Sequence, residues 1–190
     1  MMRVDAAARV ITDGPHNLGL VWSSKNIPNA QVFYCPSGKK VNSTWTYAYY
    51  SVKAQWPFGV EVTADDNVRS GYSYFPQSRN LQNMGPGLFL PEVKADTSPA
   101  ASGKSYLAPL KTALMDVTKS MTVDLVHDLN SAAAAPHRDN GIAGLNALFG
   151  DGHILFQSAR RNPTAFDPVL WKDIGNNGLN YRKAMNMWKP

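Results

Sequence analysis

The amino-acid sequence predicts an α+β fold built on an antiparallel sheet, and three observations lead to this class. Segments with strand and helix character do not alternate regularly, which disfavours a parallel doubly wound sheet. The 14 glycines and 13 prolines indicate many turns. Two apolar runs flank Gly150-Asp151-Gly152, whose residues suit a hairpin turn. The length of 190 residues is that of one ordinary domain, so residues 1–190 are predicted to form a single unit.

Helices are predicted near both ends of the chain. Residues 1–13 include good helix formers from Val4 to Ile11, and they are interpreted as the end of a truncated N-terminal helix. Asp13-Gly14-Pro15 would stop this helix. Three further short helices are predicted, at Asn17 to Ser24, Pro168 to Ile174 and Leu179 to Trp188.

Strands are predicted where β-branched and aromatic residues are concentrated. The two arms of the hairpin are Leu145 to Phe149 and His153 to Phe156. Five more strands are expected, at Gln31 to Cys35, Thr44 to Val52, Gly71 to Phe75, Thr112 to Val117 and Met121 to Val126. Residues 76–106 are rich in proline, glycine and serine, and a long irregular loop is predicted there.

The charge pattern limits the classes of partner. Six basic and two acidic residues between Arg160 and Pro190 give this tail +4 of the net charge of +5. They are interpreted as a solvated basic face, with a docking patch for an acidic partner as the alternative. No block of five or six like charges occurs, so a nucleic-acid partner is not predicted. No run of 18 apolar residues occurs, so no membrane span is predicted within this sequence.

Cys35 is the one cysteine of the chain, which excludes an intrachain disulfide. It follows Phe33 and Tyr34 in an apolar run that ends in a turn at Pro36. This setting predicts a buried, unreactive thiol rather than a nucleophile.

The most distinctive segment runs from His137 to His153. It resembles the C-terminal segment of the prepilin-type processing-associated domain, in which a His precedes Gly-x-Asn-x-Leu-Phe-x-Asp-Gly-His. The matching residues are Gly144, Asn146, Leu148, Phe149, Asp151, Gly152 and His153.

Three other segments are similar to parts of the same family. Phe33-Tyr34-Cys35-Pro36-Ser37 resembles its Phe-x-Cys-Pro-Ser segment, and Gly71-Tyr72-Ser73-Tyr74-Phe75 resembles its aromatic Ser-Tyr strand. Phe166-Asp167-Pro168 with Trp171 is similar to the region that follows the hairpin in some members.

The resemblance implies a pilin-like head, in which an N-terminal helix packs on an antiparallel sheet. It implies a non-enzymatic structural subunit of a type II secretion or type IV pilus-like fibre. The expected partners are other pseudopilin subunits or secretion-system proteins, and the membrane would be contacted only through a methylated N-terminal helix missing here. The expected location is the bacterial cell envelope, with inner-membrane anchoring before assembly and the head in the periplasm or outside the cell.

A metal- or carbohydrate-binding module on the same scaffold is the alternative. His137, Asp139, Asp151 and His153 carry ligand types suited to zinc or another divalent ion. Calcium could use oxygens of Asp139, Asn140 and Asp151. The competing interpretation is that Asp151 caps the backbone of the turn, and no cofactor is then required. A sugar platform is the other possibility, from aromatic side chains that also suit core packing: Trp45, Tyr47, Tyr49, Tyr50, Trp56 and Phe58.

Two catalytic interpretations compete with the structural one and are disfavoured. A hydrolase site could use His137, Asp151 and His153. An acid–base group could combine His127 and Asp128 with Asp116 and Asp124. In the second case the alternation of Asp124 with Val123 and Leu125 is explained by a half-buried strand whose polar residues face solvent. No catalytic residue is therefore predicted, and the chain is not expected to be an enzyme.

Overall fold

The computed structural model describes residues 2–5, 8–15, 17–40, 44–52, 54–59, 67–93, 110–124, 126, 135–171, 178–188 and 190. The strands within these ranges are β1 Met2–Asp5, β2 Val10–Asp13, β3 Asn67–Val68, β4 Tyr72–Tyr74, β5 Leu81–Asn83, β6 Phe89–Pro91, β7 Ser120–Asp124, β8 His137–Asp139, β9 Ile142–Phe149 and β10 Ile154–Ser158. The α-helices are α1 Leu18–Ser23, α2 Tyr47–Ser51, α3 Pro168–Trp171 and α4 Gly178–Met187.

The strands form three antiparallel sheets. The main sheet has the order β10-β9-β7-β4, with β8 also paired to β9. A smaller sheet has the order β2-β1-β3, and β5 with β6 forms a separate hairpin. The combination of short helices with antiparallel sheets confirms the predicted α+β class.

In the main sheet, two separate strands pair with the same edge of β9, with a break between them. Strands β7 and β8 both pair antiparallel with β9, on the edge opposite β10, with Val123 opposite Ala147 and His137 opposite Gly144. They therefore lie end to end along β9. The break between them falls between Asp124, the last residue of β7, and His137, the first residue of β8.

Two clusters of buried apolar side chains stabilise the fold. The larger one lies between the main sheet and the C-terminal helices, and includes Phe149, Trp171 and Trp188. The smaller one joins β1 and β3 to α2 and includes Val4 and Tyr50. Burial of such side chains is the dominant stabilising contribution in a domain of this size.

The C-terminal helix is anchored by its neighbours. Gln77 Nε2 donates to the carbonyl oxygens of Ser120 (2.9 Å) and Met185 (2.8 Å). Lys119 Nζ donates to the carbonyl of Asn186 at 3.2 Å, and Asn162 Nδ2 donates to that of Met187 at 2.9 Å. These bonds satisfy carbonyl groups that the end of an α-helix leaves without partners.

Arg182 joins this helix to the β5–β6 hairpin. Its Nη2 donates to the carbonyl oxygen of Pro91 at 2.7 Å and contacts Gln82 Oε1 at 3.3 Å. Arg182 therefore has a structural contact and does not simply extend the solvated basic face predicted for the tail. Lys172 and Lys189 of that tail lie outside the described residues.

The predicted N-terminal helix is wrong for the described residues of the segment 1–13. Met2–Asp5 and Val10–Asp13 form the antiparallel pair β1–β2, and β1 also pairs with β3. Met2 and Val4 are both buried, two positions apart, as on one face of a strand. Pairing and burial outweigh the helix propensity of the neighbouring alanines, which is a weak preference.

Three predicted strands are also wrong. A 3-10 helix at Ala30–Phe33 overlaps the strand predicted for Gln31 to Cys35. Another, at Thr112–Leu114, begins the strand predicted for Thr112 to Val117. Thr44 to Val52 contains α2, because the Thr46 side chain accepts the amide of Tyr49 and so caps the start of a helix. A local cap here outweighs the strand preference of the aromatic residues.

The other predicted elements are confirmed in the described residues. Strands β4, β7, β9 and β10 and helices α1, α3 and α4 lie where strands and helices were expected. The segment 76–106 is not wholly irregular, since it contains the β5–β6 hairpin. Its residues 94–106, and residues 172–174 of the predicted helix there, lie outside the described residues. In the described part of the chain, no helix combines the length and apolarity needed to span a bilayer.

Candidate functional site

Cys35, Asp124 and His137 meet at the break between β7 and β8. His137 Nε2 lies 3.1 Å from Asp124 Oδ2 and 3.4 Å from Cys35 Sγ. One potential ligand atom from each of the three side chains falls within 4.8 Å of the others. The three residues come from distant parts of the sequence, so only the tertiary structure assembles this cluster, called here the seam site.

Cys35 is positioned by close packing of two backbone segments. It follows the 3-10 helix Ala30–Phe33, and the amide of Gly71 donates to the Phe33 carbonyl at 2.9 Å. A Cβ atom at position 71 would lie 2.9 Å from the amide nitrogen of Cys35. Only glycine therefore permits this approach, which brings Cys35 against the start of β4.

Asp124 is held by the strand that passes the break. Its Oδ2 accepts the amide of Asn146 at 2.6 Å, and the residue is only 3% exposed. The carboxylate takes an N–H group of β9 close to the end of β7. The expectation that Asp124 faces solvent is therefore wrong. Beside the break, its buried carboxylate accepts a backbone hydrogen bond from β9.

His137 is fixed by the pairing of β8 with β9. Its Cα partner is Gly144, where a Cβ atom would lie 2.7 Å from the Gln157 carbonyl oxygen of β10. The His137 side chain is 28% exposed, whereas Cys35 and Asp124 are buried. Solvent therefore reaches the seam site from the imidazole side.

Burial governs the protonation of the seam site. Desolvation, followed by the negative charge of Asp124, raises the pKa of the Cys35 thiol above its ordinary value. Burial, followed by the charges of Cys35 and Asp124, raises the pKa of Tyr72 to about 12. Tyr72 is the cross-strand partner of Asp124, so it forms a wall of the same site.

The arrangement differs from a cysteine-nucleophile triad. In such a triad the two ring nitrogens of the histidine serve different partners, one the nucleophile and the other the carboxylate. Here the same atom, Nε2 of His137, faces both Cys35 and Asp124. The thiol pKa is raised rather than lowered, which disfavours the thiolate that nucleophilic catalysis needs.

The structure separates the four metal candidates predicted from the sequence. Only His137 belongs to the seam site. Asp139 pairs with Ile142 at the start of β9 and Asp151 follows its end at Phe149, and this strand spans roughly 23 Å at about 3.3 Å per residue. One calcium ion could not be held by Asp139 and Asp151 together, because calcium–oxygen distances are about 2.3–2.6 Å.

Asp151 and His153 form a local pair at the β9–β10 turn. Asp151 Oδ1 accepts the backbone amide of His153 at 3.1 Å and contacts its Nδ1 at 2.5 Å. The imidazole also stacks on Phe149, with ring centroids 4.4 Å apart. These contacts match the interpretation of Asp151 as a cap of the turn.

Several other sequence-based candidates take part in core packing or in a local turn in the described residues. Tyr50 and Trp56 are buried, and Trp56 Nε1 donates to the Tyr34 hydroxyl at 2.9 Å, so their faces are not offered to a sugar. Asp116 Oδ1 accepts the amide of Thr118 at 3.0 Å in a local turn. His127 and Asp128 lie outside the described residues.

A separate cleft of about 490 Å³ lies between β10 and the end of α4. Its lining includes Phe156, Arg161 and Met187. No cysteine, histidine or acidic side chain of the described residues lines it. The chemistry-bearing side chains of the described chain are therefore concentrated at the seam site rather than in this cleft.

Sequence reasoning found His137 and missed its partners. The prediction that Cys35 is buried is confirmed and the prediction that Asp124 is solvated is wrong, and neither was linked to His137 because each was judged from its own neighbours in the chain. A usable signal existed, since Cys35 and His137 both belong to segments that resemble the same family.

Searches against protein-family models, curated proteins and solved structures find no match to this chain.

Proposed function

We propose that this chain is the globular head of a prepilin-like subunit of the bacterial cell envelope, with a structural rather than a catalytic role. The partners would be other pseudopilin subunits or secretion-system proteins. The head would lie in the periplasm or outside the cell, and a hydrophobic N-terminal helix would anchor the subunit in the inner membrane before assembly.

One observation carries this proposal: segments that separately resemble the prepilin-type family meet around the seam site. Cys35 belongs to the Phe-x-Cys-Pro-Ser-like segment, and Tyr72 belongs to the aromatic Ser-Tyr-like strand. His137 and Asn146 belong to the His…Asp-Gly-like segment. Unrelated chance similarities would have no reason to be neighbours in space, so their convergence supports a common origin of the pattern.

The fourth resemblance segment lies in the main core. Phe166 and Trp171 stack with ring centroids 5.8 Å apart, and Trp171 Nε1 donates to the Ala165 carbonyl at 2.6 Å. This segment therefore serves packing. A structural role for the motif residues is consistent with a subunit that assembles rather than one that catalyses.

The β5–β6 hairpin offers a surface for subunit contact. Leu81 and Phe89 lie diagonally on one face of the hairpin, 61% and 54% exposed. Arg182 fixes the hairpin to α4, so the apolar face is held at a defined place. Rigid apolar side chains surrounded by polar ones are typical of protein contact surfaces.

The N terminus of the protein in its native cell tests the envelope assignment. Mass spectrometry of the protein from the membrane fraction should find a processed, methylated N terminus followed by about 20 apolar residues. Recovery from the cytosol with an N terminus at Met1 would contradict the proposal.

Substitution of the hairpin face tests the assembly role. Leu81→Asp together with Phe89→Asp should remove the protein from high-molecular-mass envelope assemblies without changing its melting temperature. Val169→Asp is the matched control, because Val169 is an exposed apolar residue on α3. Equal incorporation of both variants would refute the contact surface.

A further inference from the structure

We propose that Cys35, Asp124 and His137 bind one divalent transition-metal ion, with zinc as the ion whose ligand preferences they match. This inference goes beyond the assembly role and does not depend on it. The ion would be structural, and it would join the N-terminal segment that carries Cys35 to the main sheet.

The spacing of the three ligand atoms suits such an ion. Zinc binds nitrogen, oxygen and sulfur at about 2.0–2.3 Å, so its tetrahedral ligands stand roughly 3.3–3.8 Å from one another. In the seam site, His137 Nε2 lies 3.1 Å from Asp124 Oδ2 and 3.4 Å from Cys35 Sγ. The three potential ligand atoms all lie within 4.8 Å of one another, so shifts of about 1 Å or less would place them around a common centre.

The direction of the imidazole also fits an ion. A single ring nitrogen, Nε2, faces both the carboxylate and the sulfur. If Nε2 carries a proton, its N–H group makes a good hydrogen bond to only one of these two partners. If Nε2 is unprotonated, its lone pair can bind a metal ion that the carboxylate and the sulfur also bind.

The surroundings hold two of the ligands in place before an ion arrives. The amide of Asn146 donates to Asp124 Oδ2 at 2.6 Å, and Gly71 packs against the backbone of Cys35. Contacts of this kind orient metal ligands and raise metal affinity. The exposed side of His137 leaves an approach for the ion and room for a fourth ligand, such as water.

The ligand set selects the ion by its chemistry. Thiolate and imidazole favour zinc and related transition metals over calcium and magnesium, which prefer oxygen. On binding, the S–H bond of Cys35 breaks, a sulfur–metal bond forms and the proton passes to the buffer. No electron transfer is involved.

Cobalt provides the direct test. The purified 190-residue chain, stripped with a chelator, should bind one equivalent of Co²⁺ and develop a thiolate-to-cobalt charge-transfer band. Because Cys35 is the only cysteine, this band would identify the ligand without any substitution. Zinc should abolish the band by displacement, and the melting temperature should rise with the logarithm of the zinc concentration.

Variants assign the remaining ligands. Cys35→Ser should abolish the band, and His137→Gln should weaken Co²⁺ binding about 100-fold or more, beyond the 10–100-fold typical of outer contacts. His153→Gln is the matched control, because His153 also contacts an aspartate but lies outside the seam site. His137 is the most exposed ligand, so its variant serves if Cys35→Ser does not fold.

The contrary result is equally clear. Absence of the charge-transfer band, with no zinc-dependent rise in melting temperature, would overturn the proposal and leave the seam site as an internal hydrogen-bonded cluster. Binding that survives Cys35→Ser, or that is lost to the same degree in His153→Gln, would also overturn it.

Discussion

At the scale of single residues, side-chain oxygens accept hydrogen bonds from backbone amides at points where the regular pairing of strands stops. Asp124 accepts the amide of Asn146 beside the break in the sheet, and Asp151 accepts that of His153 in the β9–β10 turn. Ser73 Oγ accepts the amide of Val126 at 2.9 Å, just after β7 ends. Since an unpaired buried amide is costly, these residues allow the irregular parts of the fold to exist.

Gly152 tests the geometry of the β9–β10 turn. Its φ is +92°, and a Cβ atom built on it would meet nothing within 4 Å. Gly152→Ala should therefore destabilise the protein by backbone strain alone, on the order of 1 kcal/mol. Urea unfolding measures this loss, and an unchanged midpoint would count against the turn.

The carboxyl of Asp151 should titrate below its ordinary range. The backbone amide of His153, and then its side chain, lower the pKa of Asp151 by hydrogen bonding. A lowered folded-state pKa gives a stabilising contribution above about pH 4 that is lost as the pH falls through the folded-state value. NMR titration should find this pKa lowered, and in His153→Gln it should move back upward. An ordinary value in the unaltered protein would contradict the pairing.

At the scale of elements, local chemistry predicts several strands correctly, although the prediction for residues 44–52 missed the Thr46 cap of α2. The β9–β10 hairpin was predicted because Gly150-Asp151-Gly152 supplies the turn, and β4 and β7 were predicted from their strand-forming residues. Prediction fails where distant contacts decide. Residues 2–5 form a strand because they pair with β2 and β3. The sequence of those four residues does not indicate these partners.

The anchoring of α4 offers a test at this scale. Gln77→Leu removes both hydrogen bonds from Gln77 Nε2, so the carbonyls of Ser120 and Met185 lose a buried donor. We expect a loss of about 1–3 kcal/mol in the free energy of unfolding, measured in urea. Gln55→Leu is the control, because Gln55 is exposed and the same substitution there should change little. Equal effects of the two substitutions would show that the bonds to α4 are not what stabilises it.

At the scale of the whole molecule, the seam site lies where the two apolar clusters adjoin. Tyr34, next to Cys35, belongs to the N-terminal cluster, and Val123, next to Asp124, belongs to the cluster of the main sheet. Such a meeting point joins residues far apart in the chain, since Cys35 and His137 are separated by 102 positions. The sequence alone indicates His137 as a candidate ligand, but it does not show that His137 lies next to Cys35.

Gly71 controls how closely the two clusters approach. A Cβ atom there would lie 2.9 Å from the Cys35 amide nitrogen and 3.0 Å from the Tyr34 Cα, both backbone atoms that cannot move freely. Gly71→Ala should cost about 1–3 kcal/mol of stability by overpacking, measured by thermal unfolding.

Gly38→Ala is the matched control for this substitution. A Cβ atom at position 38 would meet the Cys35 Cβ at 3.7 Å, an ordinary van der Waals distance. Its melting temperature should stay close to that of the unaltered protein. A Gly71→Ala variant as stable as the control would show that the close approach does not determine the association of the clusters.

The break between β7 and β8 means that the two strands are not tied to a fixed separation along the chain. Val126 and Ala135, which flank residues 127–134, are both buried in the larger cluster, and β7 and β8 are each registered independently on β9. Lengthening the sequence between these two anchors would leave every strand register unaltered. Doubling a connecting segment costs only about 0.6 kcal/mol in closure entropy. A reporter peptide inserted between Val126 and Ala135 would test this independence, and we expect both strand registers to survive it.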